Sequence, residues 1–494
     1  TNLVTGIADA RMDSTPMVAI TAQVASNLLG SDAFQETDIV GITRNITKQN
    51  YLVHKTEDLG RVLKEAFYIA STGRPGPVLV DIPKDVQANK VIPNIPDKVT
   101  MRGYNPEYPI DFSQMERAAE MIRKAKRPCI YAGGGVISGE ASKELYDFAV
   151  KTNIPVTTTL MGLGAFPENH PLSLKWPGMH GAVYATFAMN NADVLITVGA
   201  RFDDRVTGKL SDFAPGTTII HIDIDASELN KNRKANLPIQ GNVKDALRSL
   251  TEIVQPGDYK EWHETITRWK QQFPFYYEYS DTVIKPQWAI ESLHQVTEGK
   301  AIIATGVGQH QMWTGQFYTF TKPRTFVSSL GLATMGYGLP AAIGAQMAMP
   351  NDLVIDIDGD GSFLMTCHEL CTIGREGLPV KAMIMNNHHL GMVRQWQDDF
   401  YAQNYCATYL GKTDEVDYPM NADIAKAFGI PSKRVSKPAD LKKAIEEMIT
   451  FNGPYVLEVM VDPKEKVLPI MPPGASWRDV IYKSSDLDKY LSRK

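Results

Sequence analysis

The segment LVIDIDGDGSF, residues 353–363, begins as a run suited to a buried parallel strand and becomes acidic and glycine-rich without a break. Similar runs recur along the chain: MVAIT at 17–21, PVLVDIP at 77–83, then CIYAGGG, IPVTTTL, DVLITVGA, TTIIHIDID, AIIATGVG, VKAMIMNN and YVLEVMVD. Between them the spacing turns helical, as around Leu59–Ser71 and at Met115, Ala118, Met121 and Ile122. Strands separated by helices need a sheet covered on both faces, so the expected fold is α/β with doubly wound parallel sheets.

At 494 residues the chain has room for about three such domains. The expected division is a partial N-terminal domain with its linker at 1–105, a central domain with a connector at 106–284, and a C-terminal domain at 285–494. The first boundary rests on VIPNIPDKVTMRGYNPEYPID, which carries four prolines and no sustained periodicity. The second rests on a charged, aromatic helical stretch at about Tyr259–Tyr279. The opening TNLVTGIADARMD reads as a helix entered in mid-pattern, with no start methionine and no signal pattern, so the chain is expected to be cut from a longer one.

A net charge of −5 with no long basic run gives no footprint for nucleic acid or an anionic membrane. No apolar stretch approaches the roughly 18 residues that span a bilayer. Small-molecule chemistry is the remaining expectation. Cys129, Cys367, Cys371 and Cys406 are too scattered for a disulfide framework, which favours a reducing compartment. CHELC, around Cys367, His368 and Cys371, offers at most three ligands and is expected to be a buried helix instead of a zinc site.

Ligands of open α/β sheets bind beyond the carboxyl ends of strands. Three such ends in the last region are unusually polar: GVGQHQ at 306–311, DGDGS at 358–362 and NNHHLGM at 386–392. Alone, GDG is a turn signal. Asn387, however, follows Asp360 by 27 residues, room for one helix and one returning strand, so a carboxylate and an amide oxygen arrive at adjacent strand ends. Hard oxygens beside close-approaching glycine backbone suit Mg²⁺ carrying a diphosphate.

GDGS followed by NN looks like the thiamin-diphosphate binding motif. VGQHQMW, TMGYGLPAAIGA, NNHHLGMVRQWQ, GARFDDRVTGK, TLMGLGAF and GRPGPVLVDIPKDV together resemble the catalytic subunits of the acetolactate synthase (acetohydroxyacid synthase) family, across nearly the whole chain. The resemblance implies Mg²⁺ held by the side chains of Asp360 and Asn387 and the carbonyl of His389. It implies a diphosphate surrounded by Val307, Gly308, Gln309 and His310, with contacts from Gly331, Gly361, Ser362, Leu390, Gly391 and Met392. Met335 would sit under the cofactor and hold its two rings together, beside Ala333, where the family usually has glycine. Trp396 would form the apolar wall that distinguishes acceptors differing by one methylene, a difference worth about 1–3 kcal/mol. Arg205 would meet the acceptor carboxylate as a bidentate donor. Phe34, Gln35 and Lys84 resemble pocket residues of the first domain, and with Met392 they complete the catalytic set.

The central region, with GGG, TLMG, PGMHG, GARFDDR and HIDID, resembles the family's FAD domain. Ser14, Arg74, Gly134, Gly135, Thr159, Leu160, His180, Gly199, Arg201, Phe202, Asp203, Asp223 and Ile224 would line a flavin that is structural, since the main reaction has no net redox change. The implied substrates are pyruvate and 2-oxobutyrate, and the implied assembly is a homodimer or homotetramer, with a small regulatory subunit in some members. Bacterial members are cytoplasmic and plant or algal ones plastidial. The family's activating glutamate lies upstream of the segment resembling TNLVTGIADA, and Glu36 does not match its motif. A related thiamin/FAD enzyme of the pyruvate-oxidase kind is one alternative, and the absence of that glutamate from this sequence keeps a non-catalytic flavin-binding homologue as a second. Ala25, in QVASN, stands where the family commonly has proline at the rim of the sulfonylurea channel, so weakened inhibition is expected.

Overall fold

The computed structural model describes residues 1–411 and 420–492. All strand pairing between its named strands is parallel, in three sheets. In the first, β1 (Met17–Gln23), β2 (Gln49–Leu52) and β3 (Pro77–Pro83) lie in the order β1-β3-β2. The second holds β4 (Pro128–Ala132), β5 (Val156–Thr158), β6 (Val194–Val198), β7 (Thr218–Asp223) and β8 (Leu237–Gln240), ordered β5-β4-β6-β7-β8. The third holds β9 (Ile302–Thr305), β10 (Phe326–Ser328), β11 (Val354–Gly359), β12 (Lys381–Asn386), β13 (Ser432–Val435) and β14 (Tyr455–Met460), ordered β10-β9-β11-β12-β14-β13. The fold is therefore mixed α/β with three parallel sheets, the first of them the smallest.

By contact the chain divides into two compact units, residues 1–109 with 329–334, and residues 110–328 with 335–494. In the first unit the helix Leu59–Ser71 buries Val62, Ala66, Ile69 and Ala70, the spacing expected of one apolar stripe. β3 is buried along its whole length, as a central parallel strand must be. Asp9 and Asp13 of the opening helix reach residues 329–334: Asp9 accepts from the hydroxyls of Ser329 and Thr334, and Asp13 from the N–H groups of Leu330 and Gly331.

In the second unit the helix Phe112–Lys124 buries Met115, Ala118, Ala119 and Ile122. Each large side chain buried this way is worth about 1.5–3 kcal/mol. The helical stretch expected at 259–279 is shorter, Lys260–Gln272, because Phe273 precedes Pro274 and is disfavoured from helical backbone. The expectation of a buried helix at CHELC is also corrected. The helix Leu370–Glu376 buries only Leu370 and Ile373, so Cys371, one position round the axis, faces solvent, and Cys367 is half-buried.

Candidate active site

In the third sheet the strand order reverses beside β9: the chain passes from β9 to β10 on one side and then to β11 on the other. The crevice at such a reversal is where α/β sheets place ligands. The loops after β9 and β11 flank it, and the loop after β12 is the next neighbour, so the three polar strand ends read from the sequence converge.

Close packing explains the glycines there. A Cβ on Gly306 would lie 1.7 Å from Asp358 Oδ1 and 2.4 Å from Ser362 Oγ. One on Gly391 would meet Gln309 Oε1 at 2.1 Å and Asn387 Nδ2 at 2.5 Å, and one on Gly361 would meet Leu390 Cδ2 at 2.6 Å. Met335 approaches the same point, its methyl 3.8 Å from that position on Gly361. Ser362 turns its hydroxyl inward and accepts from the N–H groups of Val307 (3.4 Å) and Gly336 (2.9 Å), tying two loops together.

Asp360 is buried, and burial pushes its carboxyl up to about 8. Its Oδ2 has no hydrogen-bond partner among the described residues. An orphaned carboxylate oxygen facing an amide-bearing loop is what a divalent cation would satisfy. Asn387 donates to Gln309 Oε1 (3.2 Å), and its Oδ1 accepts from His389 N–H (2.9 Å). The His389 ring is engaged by the Asn387 carbonyl (2.7 Å) and by Arg394 (3.3 Å), so its imidazole already has structural partners. His310 lies 3.4 Å from Asp358 Oδ1, and burial lowers it to about 3, so it is a neutral imidazole. The residues fit Mg²⁺ and a diphosphate.

The next turns of the helix Gly391–Phe400 carry Met392 and Trp396, which with Val393, Gln397, Tyr401 and Asn404 line an open cavity of about 450 Å³. Trp396 packs on the cluster that contains Met179. Arg205 reaches the same methionine, its Nη1 3.8 Å from Met179 Sδ, and is otherwise exposed. It forms a loose, solvent-exposed ion pair with its neighbour Asp204 (Nε–Oδ2 3.8 Å).

The central sheet reverses beside β4 in the same way. There Gly133 and Gly135 meet Gly199, while Gly134 lies against Met161: a Cβ on Gly135 would be 2.7 Å from Gly199 Cα, one on Gly134 would be 2.7 Å from Met161 Cγ, and Gly135 N–H donates to Gly199 O. Thr159 and Leu160 follow β5, Arg201, Phe202 and Asp203 follow β6, and Asp223 ends β7, leading to Ile224, all at the carboxyl edge. Asp203 caps the turn at Arg205 and Val206, and His180 is buried against the Pro469 carbonyl (3.2 Å), lowered to about 4 by burial. The glycines are required by backbone packing, so the triplet alone did not identify a phosphate loop.

In the first unit Arg74 donates to Ser14 Oγ at 2.8 Å, joining two expected flavin residues. Phe34, nine-tenths exposed, and Gln35 occupy a turn, and Lys84 follows β3. Gly331 is tied to Asp13. Glu36 spends its carboxylate on the N–H groups of Gly30 and Ala33, which lower its pKa and give it a loop-closing job.

Gly306, Asn386 and Gln395 stand in motifs singled out from the sequence but were given no role there, and Glu458 was not singled out at all. Asn386 donates to Glu458 (2.8 Å) and accepts from His388 N–H (2.9 Å). Gln395 accepts from Gln309 (3.0 Å) and closes a pair of bonds with the Val467 backbone. Glu458 left a signal in YVLEVM, a lone acid in a buried strand.

Residues 115–250 match the family described as thiamine pyrophosphate enzyme, central domain, and residues 306–459 match its C-terminal TPP binding domain. The chain is 48% identical to acetolactate synthase 3, chloroplastic, of Brassica napus, over 99% of this chain and 76% of that one. It is 48% identical to the chloroplastic acetolactate synthase of Arabidopsis thaliana (99% and 74% covered) and 49% to acetolactate synthase 1, chloroplastic, of Oryza sativa subsp. japonica (97% and 76%).

Proposed function

The chain belongs to the acetolactate synthase family of thiamine pyrophosphate enzymes, and from that premise we propose how its residues divide the reaction. Its activity is that of a transferase: pyruvate loses CO₂ and its two-carbon unit passes to a second pyruvate or to 2-oxobutyrate, giving 2-acetolactate or 2-aceto-2-hydroxybutyrate in branched-chain amino-acid biosynthesis. Thiamin diphosphate, when bound, supplies the electron sink that stabilises negative charge where CO₂ leaves.

The protein's part is binding, orientation and exclusion of water. Asp360 and Asn387, with the His389 carbonyl, would hold Mg²⁺, and the orphaned Asp360 Oδ2 is the observation that carries this reading. Gly306, Gly361 and Gly391 leave room for the diphosphate by keeping the three loops close. Val307, Gly308, Gln309, His310, Ser362, Leu390 and Met392 would surround it, and Met335 would support the bent cofactor. Arg205 would pair with the acceptor carboxylate, and Trp396 would face its alkyl group. Their shared neighbour Met179 supports the assignment of both to one subsite.

FAD would lie along the carboxyl edge of the central sheet, against Gly134, Gly135, Thr159, Leu160, His180, Gly199, Arg201, Phe202, Asp203, Asp223 and Ile224. A second copy of the chain is the partner that would cover Phe34, whose ring is otherwise left in water. The plastid is the compartment favoured by the names of the relatives. Product analysis tests the whole reading. Pyruvate with thiamin diphosphate and Mg²⁺ should give acetolactate whether or not the flavin is reducible. Acetate formed with stoichiometric flavin reduction would replace it with oxidase chemistry.

A further inference from the structure

Glu458 is fully buried in the middle of β14, yet it is surrounded by donors. Oε1 accepts from Asn386 Nδ2 (2.8 Å), Asn421 Nδ2 (3.1 Å) and Asn421 N–H (3.2 Å). Oε2 accepts from Ala422 N–H (3.1 Å) and from Arg434 Nε (2.9 Å), its register partner on β13. A buried carboxylate is strongly unfavourable unless it is paired and hydrogen-bonded, and these donors from the described residues meet that requirement. What makes the arrangement more than a structural ion pair is where one donor leads. Asn386 is the last residue of β12, and its Oδ1 accepts from His388 N–H (2.9 Å), a local turn that sets the backbone entering Asn387–His389, the loop that leaves the strand next to the one leading into Asp360.

We propose that Glu458 is a positioning residue for the cation site, setting the Asn387–His389 loop through Asn386. The proposal rests on the assignment of Mg²⁺ to Asp360 and Asn387. Glu458 touches neither cofactor nor substrate in this scheme. It fixes the backbone that presents two of the three oxygens, and its negative charge, which acts on Asp360, adds to the field a divalent cation would feel. The donors lie on β12, β13 and the helix Asn421–Ala427, so from β14 a single carboxylate ties three other elements together beside the site.

The test is calorimetric titration of Mg²⁺ into the purified protein saturated with thiamin diphosphate, with the thermal unfolding of each metal-free variant recorded alongside. Glu458→Gln and Asn386→Ala should each weaken Mg²⁺ binding by about tenfold or more, the usual cost of losing a partner that orients a metal ligand. Asn386→Ala leaves the carboxylate its four other donors, so it carries the test even where Glu458→Gln does not fold. A lowered unfolding midpoint with Mg²⁺ affinity within twofold of wild type would overturn the proposal and leave Glu458 a purely structural residue. Asp360→Asn is the control for the underlying assignment. Loss of binding there, with Glu458→Gln and Asn386→Ala unaffected, rejects the positioning role alone; unchanged binding in Asp360→Asn rejects the cation site and the proposal with it.

Discussion

At the scale of single residues, a methyl placed on Gly391 would lie against Gln309 and Asn387, and Gly391→Ala should raise the Mg²⁺ and cofactor concentrations needed for half-maximal activity by tenfold or more, on the order expected when a ligand's orienting partner is displaced. Asp360 and Asn387 could be singled out from sequence as candidate ligands because their types and spacing have few other uses together. Gly306 and Glu458 could not, since one acts by letting Asp358 and Ser362 approach and the other by collecting donors from three segments. Cys371 misled because a free cysteine is usually buried, whereas its helix turns it to water. A second substitution tests the same scale. Ala25 has φ −59° and ψ 145°, which proline adopts without strain, so Ala25→Pro should fold normally. Sulfonylurea inhibition should strengthen in that variant, and equal inhibition of the two proteins would remove Ala25 from the channel rim.

Among the elements, most strands recognised from sequence are buried along their length, and β1, an edge strand only partly buried, was recognised by its apolar run MVAIT. Those missed, β2, β8, β10 and β13, are three or four residues long and all lie at sheet edges. An edge strand is paired on one side only and needs no continuous apolar run, so its sequence resembles loop. The helix Gly391–Phe400 illustrates the reverse: its position was legible, but what locks it was not. Gln395 fastens it to Val467 and Gln309 through buried bonds. Gln395→Leu keeps the volume and strands those partners, which should cost about 1–3 kcal/mol in thermal or denaturant unfolding. A variant as stable as wild type would mean the helix is held by packing alone.

For the whole molecule, the charge of −5 and the three parallel sheets exclude little by themselves, and function had to be argued from the strand ends. No described helix is long and apolar enough to cross a membrane. Global stability should carry the mark of His180. Its folded pKa of about 4 lies below the ordinary 6.5, so between these values the unfolded chain binds more protons and wild type loses stability as pH falls. The stability difference between wild type and His180→Asn should therefore shift against wild type from pH 6.5 towards pH 4, by up to roughly 3 kcal/mol. A constant difference would mean the imidazole is not held neutral. The most direct test of the site itself is the rate of acetolactate formation from pyruvate as a function of Mg²⁺, with saturating thiamin diphosphate, for wild type, Asp360→Asn and Asn387→Ala. Saturable, Mg²⁺-dependent synthesis by wild type and its loss in both variants is the outcome expected if the carboxylate at the end of β11 and the amide beyond β12 hold the cation. Synthesis in Asp360→Asn with wild-type Mg²⁺ dependence would contradict it.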